Sequence, residues 1–249
     1  MHIALFASLG ILVGALVNQL GSDLPARRRL TRPHCRYCGG ERPRWQWVSL
    51  PAYLTWRARC SSCGTAFGLR HLFTELGMAG AYVYLWLTND HPVTLVLHLI
   101  YAAIFALILV TDLERRLILN VVTYPAIVLA FVASFFAPGI TWWSSLIGGV
   151  VGFGFFLAAA LVGNRLFGSG ALGGGDVMLA AFVGLAVGWP LVIEALLLSL
   201  ILGALISLVL LATRIRRLSD HIPYGPFIVA GAIITLLWGY AIAEWYLYR

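Results

Sequence analysis

The sequence predicts an all-α polytopic membrane protein with about eight transmembrane helices and a small cytoplasmic domain between helices 1 and 2. Of the 249 residues, 61% are hydrophobic and only 11% are charged, and the mean hydropathy is +0.89. Soluble domains contain about 45–50% apolar and about 25% charged residues. A chain this apolar and this poor in charge therefore belongs to the class of multi-pass membrane proteins.

Eight apolar stretches are candidates for the transmembrane helices, each of which needs about 20 predominantly apolar residues. They lie at 2–20, 73–88, 93–111, 117–137, 144–164, 171–189, 190–212 and 225–247. Turn-forming residues at 89–92, 137–139 and 189–190 separate several of them. The first stretch is followed, not preceded, by a cluster of arginines, so we expect a retained helix instead of a cleavable signal peptide.

The arginines predict the orientation in the membrane. Eight spans with an outside N-terminus place four loops in the cytoplasm, at 21–72, 112–116, 165–175 and 213–224. Of the 17 basic residues, all of them arginine, only Arg249 lies outside these loops. Because cytoplasmic loops carry an excess of arginine and lysine, we expect a plasma-membrane protein with both termini outside. The net charge of +7 then reflects topology and contact with the lipid bilayer, and we predict no nucleic-acid partner.

The loop at 21–72 carries all four cysteines, in two C-x-x-C pairs: Cys35, Cys38, Cys60 and Cys63. This spacing is close to that of zinc ribbons. Four thiolates suit tetrahedral Zn²⁺ and leave no open position, so we predict a structural zinc ion. Disulfide pairing is disfavoured in the reducing cytoplasm but stays an alternative, as do unliganded thiols. His34 is a spare ligand candidate.

The same loop contains three tryptophans, Trp45, Trp47 and Trp56. They could form the small core of the domain or lie at the membrane interface, and we expect a mixture of the two. A domain of this size builds little core by itself, which favours a metal as its main stabilising element.

Two aspartates lie where predicted spans meet the cytoplasm. Asp112 ends the stretch at 93–111, and Asp176 follows three glycines, Gly173, Gly174 and Gly175. Ionisable groups at such places are functional candidates, and glycine-rich backbone within the membrane must face protein or water. Two carboxyl groups that meet there could share a proton as in aspartic proteases.

Simpler roles remain for both aspartates. Asp176 could cap the helix that follows it. Asp112 could pair with Arg115 or Arg116 at helical spacing.

The motifs together resemble those of the bacterial prepilin leader peptidases, also called type 4 prepilin-like peptidases, which are membrane aspartic peptidases with a GxGD signature. The resemblance runs through nearly the whole chain. Its motifs are the helix ending VGALVN at 13–18, the paired C-x-x-C loop, DLERRLILN at 112–120, GGGD at 173–176, GW at 188–189 and IPYGPF at 222–227.

The resemblance implies an endopeptidase that removes the basic leader of type IV prepilins or type II secretion pseudopilins after a glycine, on the cytoplasmic side. The catalytic aspartates of the family map onto Asp112 and Asp176, and Gly173 and Gly175 belong to the active-site loop. Many members also N-methylate the new N-terminal residue with S-adenosylmethionine, and the cysteine loop is similar to that of such bifunctional members. Met178 stands where many members have lysine.

These expectations divide the chain into helix 1 at 1–20, a zinc domain at 21–72 and a seven-helix peptidase domain at 73–249. Two other classes compete with a bifunctional enzyme or a peptidase without methyltransferase activity. An inactive scaffold for pilus or secretion assembly would keep the fold without needing the acids. A transporter would place acids at broken helices, but it commonly shows internal repeats, and none is evident in the sequence.

Overall fold

The computed structural model describes residues 2–26, 31–35, 37–55, 57–167, 173–213 and 223–247. Within them the chain forms nine α-helices and two short 3₁₀ turns, Leu24–Ala26 and Arg44–Gln46. The helices are α1 His2–Asp23, α2 Ser49–Leu54, α3 Leu69–Thr88, α4 Pro92–Arg115, α5 Asn120–Ala133, α6 Trp142–Phe167, α7 Gly174–Val187, α8 Leu191–Ala212 and α9 Gly225–Leu247.

The all-helical membrane architecture is confirmed, but the count of eight spans is not. Five helices, α1, α4, α6, α8 and α9, are long and apolar enough to cross a membrane, and α5 and α7 are shorter apolar helices. The 14 residues of α7 cover only about 21 Å at 1.5 Å per residue, less than the roughly 30 Å of a hydrocarbon core. Gly170, where a full span would begin, lies outside the described residues.

The chain divides into two compact units, Met1–Thr111 and Asp112–Arg249. In the first unit, α1 packs along α3 through two glycines. A Cβ atom on Gly10 would lie 2.5 Å from the carbonyl oxygen of Met78, and one on Gly14 would lie 2.7 Å from the Cα of Glu75. Small residues let membrane helices approach this closely, so α1 and α3 form a tight pair.

The small domain between α1 and α3 contains α2 and the four cysteines. Gln46, Ala52 and Phe67 are buried in it. Trp45 and Trp47, by contrast, are 48% and 42% exposed. Trp45 and Trp47 therefore do not belong to the core of the domain, and Trp56, on which the expected mixture then depends, lies outside the described residues.

In the second unit, α7 is the central helix. It packs against α5, α6, α8 and α9, and every residue from 179 to 187 is buried. Gly148 on α6 and Gly184 on α7 face each other so closely that a Cβ atom on either would collide with the backbone oxygen of the other. These glycines therefore serve close helix packing. The short α7 is thus held by neighbouring helices, and it carries Asp176 at its first turn.

Candidate functional site

Asp112 lies in the last turn of α4 and is only 4% exposed. The helix ends three residues later, at Arg115: the Arg116 amide donates to the Asp112 carbonyl at 2.8 Å, and Arg116 has a φ of 53°. The Oδ2 atom of Asp112 is buried, and the Gly225 backbone lies against this carboxylate. Within the described residues no ion pair joins it to Arg115 or Arg116, so the simpler role of Asp112 as their partner is not observed.

Asp176 is the third residue of α7 and is 9% exposed. Its Oδ2 accepts a hydrogen bond from the Gly173 amide at 3.2 Å, and its own amide donates to the Gly173 carbonyl at 3.1 Å. This reciprocal pair satisfies backbone groups at the start of the helix. The capping role considered for Asp176 is therefore present, but the carboxylate uses only one oxygen for it.

The two aspartates meet around a small group of residues. A Cβ atom on Gly225 would lie 2.5 Å from Oδ2 of Asp112, and one on Gly175 would lie 2.7 Å from the Cβ of Ile118. The side chain of Ile118 also reaches Gly225, with Cδ1 at 3.3 Å from that Cβ position. The carboxyl groups of Asp112 and Asp176 are close enough to interact electrostatically. The fold therefore brings together two acids that are 64 positions apart in the chain.

Tyr224 is a neighbour of this site that sequence reasoning did not single out. It precedes Gly225, interacts electrostatically with Asp176, and has a buried hydroxyl. Its ring centroid is 5.7 Å from those of Phe156 and Phe227. The signal that could have found it is the IPYGPF motif at 222–227, which places a phenol beside a glycine at the start of an apolar helix.

The three glycines before Asp176 are not equivalent, which provides a test of the site geometry. A Cβ atom on Gly175 would press against Ile118, whereas one on Gly174 would meet no atom of the described residues within 4 Å. We expect Gly175→Ala to shift Ile118 or the start of α7 and to lower leader cleavage by about tenfold, corresponding to about 1.4 kcal/mol in the barrier.

Gly174→Ala is the matched control and should cleave at close to the parental rate. Initial rates of the two variants, measured at equal amounts of inserted protein, make the comparison. Equal rates for both variants would show that contact between Gly175 and Ile118 does not position Asp176.

The four cysteines form a second cluster, in the first unit. Their Sγ atoms all lie within 4.8 Å of one another, with 3.7 Å between Cys35 and Cys63 and 3.7 Å between Cys38 and Cys60. In a tetrahedral site with Zn–S bonds of about 2.3 Å, neighbouring sulfurs lie about 3.8 Å apart. All four cysteines are free thiols, so the arrangement fits zinc and not the disulfide alternative.

Two matching turns hold the sulfurs in place. The Gly39 amide donates to the Cys35 carbonyl and the Gly64 amide donates to the Cys60 carbonyl, both at 2.9 Å. The two glycines have φ values of 71° and 73°, a conformation that glycine adopts without steric cost. The sequence signal is the glycine that follows each C-x-x-C pair, and it gives the two halves of the site the same turn geometry.

The surroundings of the cluster act differently on its thiols: against the lowering effect of the Gly40 amide, hydrogen bonding to Cys63 and burial raise the pKa of the Cys38 thiol to about 11, whereas Cys63 favours thiolate. Cys63 Sγ lies 3.2 Å from the hydroxyl of Thr65, and hydrogen bonding to Thr65 lowers the pKa of the Cys63 thiol to about 6. A thiolate is the form that binds a metal. His34 is not in the cluster; its Nδ1 lies 3.2 Å from the Arg32 carbonyl and 3.3 Å from the Thr31 hydroxyl.

Comparison with known proteins gives matches to both halves of the chain. Residues 99–208 match the type IV leader peptidase family, and residues 8–89 match the bacterial peptidase A24 N-terminal domain. The first region contains both aspartates of the site and the second contains all four cysteines. No solved structure matches the chain significantly.

Full-length relatives carry a common name, prepilin leader peptidase/N-methyltransferase. A Pseudomonas putida protein is 28% identical, over 95% of this chain and 91% of its own length. A Pseudomonas aeruginosa protein is also 28% identical, over 96% and 91%, and a Bacillus subtilis protein is 23% identical, over 96% and 95%. The chain therefore belongs to the type IV leader peptidase family, as its motifs predict.

Proposed function

We propose that this protein is a membrane aspartic endopeptidase that removes the basic leader of type IV prepilins, or of type II secretion pseudopilins, after a glycine. The observation that carries the proposal is the pair of buried aspartates, Asp112 and Asp176, which interact electrostatically. They come from two different helices in the region that matches the peptidase family. An inactive scaffold would have no use for two acids buried side by side, because each costs free energy to desolvate.

The chemistry follows from the pairing of the acids. One carboxylate takes a proton from the attacking water, and the other, protonated, donates to the oxygen of the scissile carbonyl. The proton belongs to the pair, so both residues are required at once. Asp176 is fixed by its hydrogen bond from Gly173, and the Gly225 backbone lies against the buried carboxylate of Asp112.

The glycines around the acids suit a peptide substrate. Residues 173–175 carry no side chains, and glycine allows another backbone to approach closely. Hydrolysis by aspartates requires the scissile peptide to lie in extended form against the pair. A glycine-rich backbone beside the acids is consistent with a substrate that is itself cleaved after glycine.

The four cysteines would hold a structural zinc ion in this protein. The distances between the sulfurs fit the tetrahedral arrangement, and Cys35, Cys38, Cys60 and Cys63 would fill every position. A zinc ion with four protein ligands has no site for water or substrate, so its contribution is to stabilise the small domain.

Methylation is the second activity that we propose, with S-adenosylmethionine as the methyl donor. It is supported by the name shared by the relatives, prepilin leader peptidase/N-methyltransferase, and by the match of residues 8–89 to the N-terminal domain of the bacterial members. The orientation that we propose places both termini outside and the aspartates at the cytoplasmic face of the inner membrane, since the arginine-rich loops lie on that side.

A single assay tests both activities. The purified protein in lipid vesicles is incubated with a prepilin peptide that carries a basic leader, with and without S-adenosylmethionine, and the products are weighed by mass spectrometry. We expect leader loss in both reactions and one added methyl group only with the donor. Cleavage without methylation would show a peptidase that lacks methyltransferase activity. An intact substrate in the presence of folded protein would favour the scaffold alternative.

A further inference from the structure

One segment of the four-cysteine domain differs from the rest of it in composition. Residues 31–68 contain six arginines and one glutamate, yet the twelve residues from 45 to 56, WQWVSLPAYLTW, contain no charge. Arg44 and Arg57 flank this uncharged segment on either side. Tryptophan and tyrosine bounded by arginine are typical of chains that lie at a membrane interface.

Three large apolar side chains of the uncharged segment face outward. Leu54 is 73% exposed, and Trp45 and Trp47 are about half exposed, whereas Gln46, Ser49 and Ala52 are buried. The segment therefore packs against its own domain through these buried residues and leaves Leu54, Trp45 and Trp47 exposed. Leaving such side chains in water is unfavourable by about 25 cal/mol per Å² of apolar surface.

Glu75 fixes the uncharged segment to the side of α3. Its two carboxylate oxygens accept hydrogen bonds from the amides of Ser49 at 2.8 Å and Leu50 at 2.7 Å, and its side chain is fully buried. Glu75 lies six residues past Leu69, where α3 begins, which is about 9 Å along the helix axis. The helix α2 thus starts alongside α3 and not beyond its end.

The contact between α1 and α3 gives the depth of Glu75 in the membrane. Gly14 packs against the Cα of Glu75, and it lies nine residues before Asp23, the end of α1, or about 14 Å along the axis. The 22 residues of α1 measure about 33 Å and must cross a hydrocarbon core of about 30 Å. Even if all of the helix length in excess of the core thickness projects at the Asp23 end of α1, Glu75 lies roughly 10 Å inside the boundary of the hydrocarbon core.

We infer that residues 45–55 of the uncharged segment lie within the lipid leaflet next to the four-cysteine domain, with Leu54, Trp45 and Trp47 against lipid. Arg44 and Arg57 would then lie at the level of the anionic headgroups, where long cationic side chains are favoured. The hydrogen bonds to Glu75 satisfy amides that would otherwise be unpaired at this depth. The cysteine cluster is thereby held at the membrane surface.

The neighbouring surface supports lipid as the occupant. Leu69, Phe73 and Leu76 on α3 are exposed and follow helical spacing, so they form one apolar stripe. Since α2 packs against α3, the outward side chains of the uncharged segment continue the surface that α3 presents to the membrane. The excess of arginine in the domain complements the negative potential of a cytoplasmic leaflet.

Spin labelling tests this placement without reference to catalysis. A nitroxide is attached to Leu54→Cys and, as the water-side control, to Glu41→Cys, in full-length zinc-loaded protein in phosphatidylethanolamine–phosphatidylglycerol vesicles. The unsubstituted protein treated identically gives the background from the native cysteines. Collision with oxygen reports lipid, and collision with a water-soluble nickel chelate reports water.

We expect the ratio of oxygen to chelate collisions to be higher at position 54 than at position 41. Equal ratios at the two positions would overturn the inference. A chelate that is excluded from position 54 only after a prepilin peptide is added would also overturn it, in favour of a protein partner. Should the labelled variants not fold, fluorescence quenching by brominated lipids decides instead. The amount of tryptophan fluorescence that these lipids quench must be lower in a Trp45→Phe, Trp47→Phe double variant than in the parent protein.

Discussion

Replacing Asp112 or Asp176 by asparagine is expected to lower the rate of leader cleavage by about 10²–10⁴-fold, the usual contribution of a general acid or base. Asparagine has nearly the same shape as aspartate but cannot take or give the shared proton. Both side chains are buried, and removal of a buried negative charge does not by itself destabilise the fold. The inserted protein should therefore remain at parental levels.

The measurement is the initial rate of cleavage of a prepilin peptide in vesicles, normalised to folded protein. Glu244→Gln is the matched control, because Glu244 is another acid of the second unit but is exposed on α9. Its rate should equal that of the parent. A substantial rate in either aspartate variant would exclude the two-aspartate mechanism, and the double variant should be no slower than the slower single variant, because the residues act as a unit.

Removing the metal from the four-cysteine cluster is the change with the largest expected effect on stability. Structural zinc contributes about 10–16 kcal/mol to the folding of small zinc domains, and the few buried side chains of this domain cannot replace that amount. We expect a strong chelator, or Cys60→Ser, to release zinc and to make the chain between α1 and α3 sensitive to protease. The helices of the second unit should stay protected.

Metal analysis and limited proteolysis of the same samples measure the effect. His34→Ala is the control, because the His34 ring lies beside Arg32 and Thr31 and not in the sulfur cluster. That variant should keep its zinc and its protease resistance. A metal-free parent protein with an intact, protected domain would contradict the structural role of zinc.

Much of the architecture could be predicted from sequence because the signals are local. The length of an apolar stretch and the position of arginines depend on the bilayer and not on the partners of each helix. Hydropathy predicted the wrong lengths for α5 and α7, which are shorter than the apolar stretches that contain them. Hydropathy does not distinguish a helix that crosses lipid from one that is short and buried among other helices, and α7 is the latter in the second unit.

The two acids of the candidate site were also found from sequence, because a carboxylate next to glycine at the edge of an apolar stretch is unusual. Their surroundings were not. Ile118 and Gly225 belong to motifs visible in the sequence, but only the packing of their segments brings them against Gly175 and Asp112. Contacts of this kind join distant parts of the chain and leave no periodic signal.

The sequence by itself determined that the protein is a helical membrane peptidase of a recognisable family, with two candidate acids and a four-cysteine cluster, since composition, spacing and motif order are carried by the chain alone. Only the tertiary structure decided that Trp45 and Trp47 face outward and that Glu75 holds α2 beside α3. The physical reason is that burial and hydrogen-bond partners depend on which surfaces meet when helices pack. An apolar residue fits the hydrophobic pattern of the sequence equally well in a protein core or against lipid.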